Sequence, residues 1–190
     1  MDKVRIGFAL CGSFCTFSKV IPIMERLKNS GAEVFPIMSP AAFSTDTRFG
    51  KSEDFRRRIS EICGKDIISD LVSAEPIGPK KLLDVLVIAP CTGNTLGKLS
   101  NGITDTSVTL AAKAHLRNQR PLVIAVSSND SLSASAQNIG RLLNCKNIYF
   151  VPMRQDDSET KPRSVVADFD LIDKTVEDAL LGIQTQPILL

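Results

Sequence analysis

Short apolar segments alternate with segments of helical periodicity along this chain, and this alternation constrains the fold more than any other feature. Five segments are apolar and rich in β-branched residues, at positions 4–10, 33–38, 85–89, 122–126 and 148–151. Their apolar residues run continuously, which is typical of strands that are buried on both faces. Strands separated by helices are joined by right-handed crossovers into a parallel sheet. We therefore predict a three-layer, doubly wound α/β fold.

Apolar residues recur at helical spacing between the predicted strands. The helical segments span positions 17–27, 55–63, 108–115, 132–143 and 172–183, and glycines at 31 and 64 are predicted to end the first two. The chain of 190 residues corresponds to one domain. We place a single Rossmann-like α/β domain at 1–183 and a tail at 184–190, which is either disordered or docked on a partner. The polar stretch 153–163 is predicted to be a surface loop.

Charge and hydropathy exclude several classes of protein. The chain carries 23 Lys and Arg against 21 Asp and Glu, a net charge of +2. Its longest basic block is the arginine triplet at 56–58, so no nucleic-acid-binding surface is indicated. The chain contains no apolar run of about 18 residues that could span a membrane. The amino terminus lacks the features of a secretory signal, and we expect a cytoplasmic protein.

Cysteine and histidine are too few and too scattered for several kinds of site. The five cysteines lie at positions 11, 15, 63, 91 and 145, with no C-x-x-C motif, so neither a disulfide framework nor a metal site is predicted. His115 is the single histidine. It shares a predicted helical face with Val108 and Ala112, and we interpret it as a packed residue rather than a catalyst. Cys91 could be a nucleophile at a helix N-terminus, but a buried structural thiol is the preferred interpretation.

Ligands of doubly wound folds bind beyond the carboxyl ends of the strands, which directs attention to the loops at 11–14, 39–41, 90–95 and 127–130. In the first loop, Gly12 and Ser13 stand between a strand and a helix, where small residues favour anion binding. The loop lacks the G-x-G-x-x-G fingerprint of dinucleotide sites. The second strand is followed by Ser39 rather than by an acid. These features favour a phosphomonoester or a phosphate-bearing cofactor over NAD; the alternative is a tight turn without a ligand.

The third loop is the most informative part of the sequence. We expect Pro90 to end its strand, and Thr92, Asn94 and Thr95 to present two hydroxyls and an amide at the mouth of the sheet. Helix capping would explain one of these polar residues but not all three. Farther along the chain, a residue at position 104 or 105 is predicted to cap the next helix, and Asp105 could equally have a catalytic role.

Residues 84–112, DVLVIAPCTGNTLGKLSNGITDTSVTLAA, resemble the hallmark segment of the flavoprotein family that includes flavin-containing cysteine decarboxylases and flavin prenyltransferases. The CTGNT sequence at 91–95 stands where that family has a P-A-S-A-N-T-like motif. The resemblance covers essentially the whole chain. It implies a homo-oligomer with FMN at the carboxyl ends of the strands. It also implies contacts to the FMN phosphate from Gly12, Ser13 and Ser39, contacts to the rest of the cofactor from Pro90, Thr92, Asn94 and Thr95, and a substrate loop containing Ser128 and Asn129.

Two regions separate this chain from the decarboxylases. Those enzymes use a histidine after the second strand, whereas the corresponding residues 41–47 contain none. The late segment 155–169 is similar to a subfamily of sporulation proteins. That similarity implies one chain of a heteromeric oxidoreductase with its own FMN site, an NAD(P)-binding partner chain and a small dicarboxylate substrate. The alternatives are a stand-alone FMN-dependent decarboxylase or prenyltransferase, and a cofactor-free interaction protein.

Two basic residues in the late segment are candidates for anion recognition. Lys161 and Arg163 could bind an anionic substrate or an acidic partner surface, and arginine in particular matches the geometry of carboxylates. The alternative is a solvated loop in which these cations offset the nearby acids Asp156, Asp157 and Glu159.

Overall fold

Five parallel strands form the centre of the protein in a computed structural model that describes residue 1 and residues 3–190. The strands are β1 (Arg5–Leu10), β2 (Glu33–Met38), β3 (Val85–Cys91), β4 (Leu122–Ser128) and β5 (Ile148–Phe150). They pair in the order β2-β1-β3-β4-β5. The predicted doubly wound α/β architecture is confirmed. Two further strands, β6 (Met153–Asp157) and β7 (Lys161–Ala167), add an antiparallel hairpin and make the sheet mixed.

Helices cover both faces of the sheet. They are α1 (Phe17–Asn29), α2 (Pro40–Ser44), α3 (Ser52–Cys63), α4 (Leu71–Ala74), α5 (Gly93–Ser100), α6 (Ser107–Leu116), α7 (Ala136–Leu143) and α8 (Ile172–Leu180). One core forms between the sheet and α1, α2, α3 and α8, and a second between the sheet and α4, α5, α6 and α7. Phe8 belongs to the first core and its neighbour Ala9 to the second, and both are fully buried. Burial of both faces explains why β1 is apolar from Ile6 to Leu10.

The hairpin β6-β7 corrects the prediction of a surface loop at 153–163. β7 pairs antiparallel with the carboxyl end of β4, where Ser127 lies opposite Val166 and Ser128 opposite Val165. Most side chains between Arg154 and Arg163 are exposed, while the backbone is held by the ladder between β6 and β7. The prediction was wrong because the side chains of a solvated hairpin are as polar as those of a loop, although its backbone is paired.

Pro90 does not end its strand, because β3 continues to Cys91. The pairing of β3 with β4 shifts register between Ile88 and Cys91. Proline lacks an N–H donor, but its carbonyl can still accept, and the Pro90 carbonyl accepts a hydrogen bond from the Cys11 amide at 3.2 Å. The irregular register accommodates the missing donor, so the strand is not interrupted.

Three predicted helix limits also differ from the structure. The helix that follows α5 is capped by Thr106, which accepts from the Thr109 amide at 3.2 Å, and not by Thr104 or Asp105. Asp105 instead forms an ion pair with Lys98 at 2.8 Å. Helix α7 begins at Ala136 rather than near position 132, since residues 131–135 form turns around Asp130. Helix α8 ends at Leu180 and not at 183, because the chain turns at residues 181–182.

The last seven residues lie against β5 and β6 of the same chain. The Gln184 side chain accepts from the Phe150 amide at 2.8 Å and donates to the Phe150 carbonyl at 2.7 Å. Met153 pairs with the tail through bonds to Ile188 and Leu190 of 2.9 and 3.0 Å. The tail therefore packs on its own chain, whereas the sequence predicted disorder or docking on a partner. Among the helices described, none is long and apolar enough to cross a membrane.

Candidate functional site

A cleft of about 760 Å³ opens at the carboxyl ends of β1, β3 and β4, beside the β6-β7 hairpin. Its size is within the range of about 300–1,000 Å³ that is typical of small-molecule sites. Three of the four loops selected from the sequence contribute to its wall, those after β1, β3 and β4. The rule that ligands bind beyond the carboxyl ends of parallel strands therefore locates this opening correctly.

Six of the candidate ligand-binding residues line this cleft together. They are Gly12, Ser13, Thr92, Ser128, Asn129 and Lys161. The Ser13 and Ser127 hydroxyls are 2.9 Å apart, which ties the loop after β1 to the end of β4. The sequence thus predicted the meeting of loops that lie 114 residues apart in the chain.

Three other residues that were predicted to bind the ligand are buried among other parts of the chain and do not line the cleft. The Ser39 hydroxyl accepts from the Ala42 amide at 3.3 Å and caps α2. The Thr95 hydroxyl donates to the Cys11 sulfur at 3.2 Å and is 8% exposed. Pro90 is buried. In this conformation these residues shape the base of the loops and do not face the opening.

Asn94 and Arg163 also lie outside the lining of the cleft. Both side chains are exposed, Asn94 on the first turn of α5 and Arg163 on β7. The Arg163 carbonyl accepts from the Leu132 amide at 3.0 Å. Their predicted roles with cofactor and substrate therefore depend on a surface beside the cleft rather than inside it.

A cluster of hydroxyls around one carboxylate closes the loop after β4 over the start of α5. The Asp130 carboxylate accepts from the Ser135 hydroxyl at 3.0 Å and from the Ser128 hydroxyl. A Cβ atom on Gly93 would lie 2.5 Å from Asp130 Oδ1 and 2.8 Å from each of the Ser128 and Ser135 hydroxyls. Only glycine leaves room for this approach. The sequence did not single out Gly93 or Asp130, because the contact between them is tertiary.

The cleft has three cationic side chains, Lys19, Arg48 and Lys161. Lys161 forms an ion pair with Asp156 at 2.8 Å, as the charge-offset interpretation predicts. Lys19 and Arg48 have no carboxylate within 4.0 Å among the residues that the structure describes. The sequence analysis did not identify these two cations as candidate site residues. Arg48 precedes Phe49 and Gly50, and this glycine could have indicated a turn that exposes the arginine.

The single histidine lies at the opposite end of the sheet. His115 is 1% exposed, and its Nε2 atom is 2.9 Å from the carbonyl of Pro121, which precedes the amino end of β4. Burial lowers the pKa of His115 to about 4, so the ring is neutral near pH 7. The chain therefore brings no imidazole to the cleft.

The buried thiols near the cleft are not activated. Burial raises the pKa of Cys11 to about 11 and that of Cys91 well above its ordinary value. Since the thiolate is the nucleophile, both sulfurs are inert near neutral pH. Cys15 is exposed on the cleft wall. Within the described part of the chain, no group of three or more His, Cys, Asp and Glu side chains could hold a metal ion.

The composition of the cleft wall fits a phosphorylated cofactor with a planar ring. Hydroxyls and an amide from three loops can bond to a phosphate or a polyol. Phe14, Val165 and Val166 supply apolar surface for a ring. The donor set on this wall therefore suits FMN.

Comparison with known proteins identifies the family of the chain. A family model described as Flavoprotein matches residues 1–177. The chain is 49% identical to the B subunit of dipicolinate synthase from Bacillus subtilis (strain 168) over 97% of this chain and 92% of that protein. The crystal structure of the dipicolinate synthase B subunit from Bacillus halodurans C superposes with a TM-score of 0.91 at 45% identity, covering 100% of this chain and 98% of that one. The FMN-dependent cysteine decarboxylase SpaF shares the fold at a TM-score of 0.69 and 24% identity, with 94% and 95% coverage.

Proposed function

We propose that this chain, which belongs to the Flavoprotein family, is the B subunit of a dipicolinate synthase. It acts with a partner chain, the A subunit of that enzyme. The observation that carries this proposal is the likeness over nearly the full length to two B subunits, with 49% identity to one and a TM-score of 0.91 to the other. In the proposed reaction dihydrodipicolinate is oxidised to dipicolinate during sporulation. A hydride passes to NAD(P)⁺ on the partner chain, and a proton is released.

The nicotinamide is assigned to the partner because this chain lacks the sequence features of a dinucleotide site. The loop after β1 has no G-x-G-x-x-G motif, and Ser39 takes the position where an acid would bind a ribose. We place this protein in the cytoplasm, in a homo-oligomeric assembly that contacts the partner chain.

We further propose that the cleft holds FMN, which when bound supplies hydride-transfer chemistry. Gly12 and Ser13 are assigned to the phosphate region. Thr92, whose hydroxyl caps α5 by accepting from the Thr95 amide at 3.4 Å and also lines the cleft, is assigned to the ribityl chain. Ser128 and Asn129 are assigned to the substrate. The Asn129 amide oxygen accepts from the Ser164 hydroxyl at 3.4 Å, a contact that leaves its NH₂ group to donate to a carboxylate.

A decarboxylase of the histidine-dependent type is a weaker candidate. Residues 41–47, which lead from α2 toward the cleft, contain no histidine. His115 is buried at the far end of β4 and hydrogen-bonded there. An imidazole acting on substrate would have to come from another chain.

The test is reconstitution of the complete complex. The purified partner chain is assayed for dipicolinate formation by itself and together with this chain, with dihydrodipicolinate and NAD(P)⁺ supplied. We expect a higher rate with both chains present. Asn129→Ala should lower the rate at subsaturating substrate by about three- to tenfold, the value of one hydrogen bond.

The matched control is Asn144→Ala, since Asn144 is exposed at the end of α7 and lies outside the lining of the cleft. This variant should be as active as the wild-type chain. The proposal is wrong if the two-chain mixture forms dipicolinate no faster than the partner chain by itself.

A further inference from the structure

A tight two-residue turn between α2 and α3 holds Arg48 and Phe49 at the wall of the cleft. The amides and carbonyls of Thr47 and Gly50 pair reciprocally at 3.1 Å, and the Phe49 amide donates to the Thr47 hydroxyl at 3.2 Å. Gly50 has φ +146°, and a Cβ there would lie 2.9 Å from the Phe55 ring. Glycine is therefore required at this turn, and its backbone bonds fix the direction of the tip.

The base of the turn is anchored separately, so its acid does not neutralise Arg48. Asp46 accepts from the Ser52 amide at 2.8 Å and from the Ser52 hydroxyl at 2.9 Å, at the first residue of α3. The Arg48 guanidinium lies 4.9 Å from the centroid of the Phe49 ring. Phe49 is 47% exposed. The tip thus presents a cation without a carboxylate partner among the described residues, placed over one face of an aromatic ring that is about half exposed.

These two groups match two parts of one ligand. A guanidinium binds a carboxylate through two parallel hydrogen bonds, and an aromatic ring packs on a planar ring. A second cation without an ion-pair partner in the described chain, Lys19, lines the same cleft. Packing does not explain the composition of this preorganised tip, since its side chains are in neither core.

We propose that Arg48 binds one carboxylate of the substrate, that Phe49 packs on the substrate ring, and that Lys19 binds the second carboxylate. The ligand class is a six-membered nitrogen heterocycle that is planar in the oxidised product and carries carboxylates on both sides of the nitrogen. This identification of the ligand rests on the proposed function. The tip is a binding element that supplies charge and stacking.

The test measures direct binding to the purified full chain by titration calorimetry, without the partner chain. The probes are pyridine-2,6-dicarboxylate, pyridine-2-carboxylate and FMN. Arg48→Ala should weaken binding of the dicarboxylate about tenfold or more, as expected for loss of a charge-assisted hydrogen bond. The affinity of Arg48→Lys for the dicarboxylate should lie between those of the wild-type chain and Arg48→Ala, because lysine keeps the charge but cannot form two parallel hydrogen bonds to a carboxylate. Phe49→Leu should weaken binding of the dicarboxylate severalfold, and Lys19→Ala should reduce the preference for two carboxylates over one.

Arg58→Ala is the matched control, since Arg58 is an exposed arginine of α3 outside the cleft lining. It should bind all three probes like the wild-type chain. FMN affinity should be unchanged in Arg48→Ala. An equal loss of FMN affinity would instead assign Arg48 to the cofactor phosphate and overturn the inference. Undiminished binding of the dicarboxylate by Arg48→Ala, or no binding by the wild-type chain, would overturn it as well.

The reconstituted complex separates this inference from the proposed function. If the two chains together form dipicolinate and Arg48→Ala leaves the KM unchanged, the inference alone fails. If Arg48→Ala loses binding of the dicarboxylate but the two chains form no more dipicolinate than the partner chain by itself, the proposed function alone fails. Equal urea midpoints for the wild-type chain and the turn variants would show that each variant is folded.

Discussion

Replacement of Gly93 by alanine tests the packing that closes the loop after β4 over helix α5. The added Cβ would lie 2.5 Å from Asp130 Oδ1, and no alanine rotamer relieves this contact because Cβ is fixed by the backbone. Overpacking of this kind costs about 1–3 kcal/mol. The intrinsic gain of alanine over glycine in a helix is about 1 kcal/mol or less and smaller at a first position. We therefore expect a net loss of about 1–2 kcal/mol, or a fall in Tm of about 2–8 °C.

The assay is thermal and urea unfolding of Gly93→Ala beside Gly140→Ala. Gly140 lies in α7, is exposed, and has nothing within 4 Å of a built Cβ. Its replacement should raise Tm by about 1–4 °C. In an Asp130→Ala background the cost of Gly93→Ala should shrink, because the nearest obstructing atom is gone. A Gly93→Ala protein as stable as Gly140→Ala would refute the argument.

Two further predictions concern the buried titratable groups. His115 has an ordinary pKa of 6.5 and a folded-state pKa of about 4, so between these values the unfolded chain binds a proton that the folded chain does not. When the pH is lowered from about 6.5 to 4, the free energy of unfolding of the wild-type chain should therefore fall by about 3 kcal/mol more than that of His115→Gln, as measured by urea unfolding. Parallel pH profiles of the two proteins would contradict this. In thiol labelling at pH 8, the exposed Cys15 and Cys145 should react fast. The three buried thiols, Cys11, Cys63 and Cys91, should react only on unfolding. A third fast-reacting thiol would show that one of them is accessible in the folded chain.

The parallel sheet and most of its helices were predictable because strands that are buried on both faces must be continuously apolar, and this pattern is visible in the sequence. Phe8 and Ala9 enter different cores, and both must be apolar. The hairpin β6-β7 was missed for the converse reason. Its exposed side chains are polar, and what makes it a strand pair is backbone hydrogen bonding that composition does not report.

The candidate site was predictable at the level of loops and less so at the level of side chains. Gly12, Ser13 and Thr92 line the cleft because topology brings the loops after β1 and β3 to one edge. Ser39 and Thr95 belong to the same kinds of loop, yet their hydroxyls are taken up by a helix cap and by the Cys11 sulfur. Hydroxyls serve caps and ligands equally well, and only the folded geometry distinguishes these uses.

The proposed flavin site in the cleft at the carboxyl ends of β1, β3 and β4 is tested most directly by a visible absorbance titration of the purified chain with FMN and with riboflavin. A saturable shift of the flavin band is predicted, with FMN bound more tightly than riboflavin because the phosphate can accept hydrogen bonds from the hydroxyls that line the cleft. An FMN spectrum that stays identical to that of free FMN at saturating protein would contradict the account.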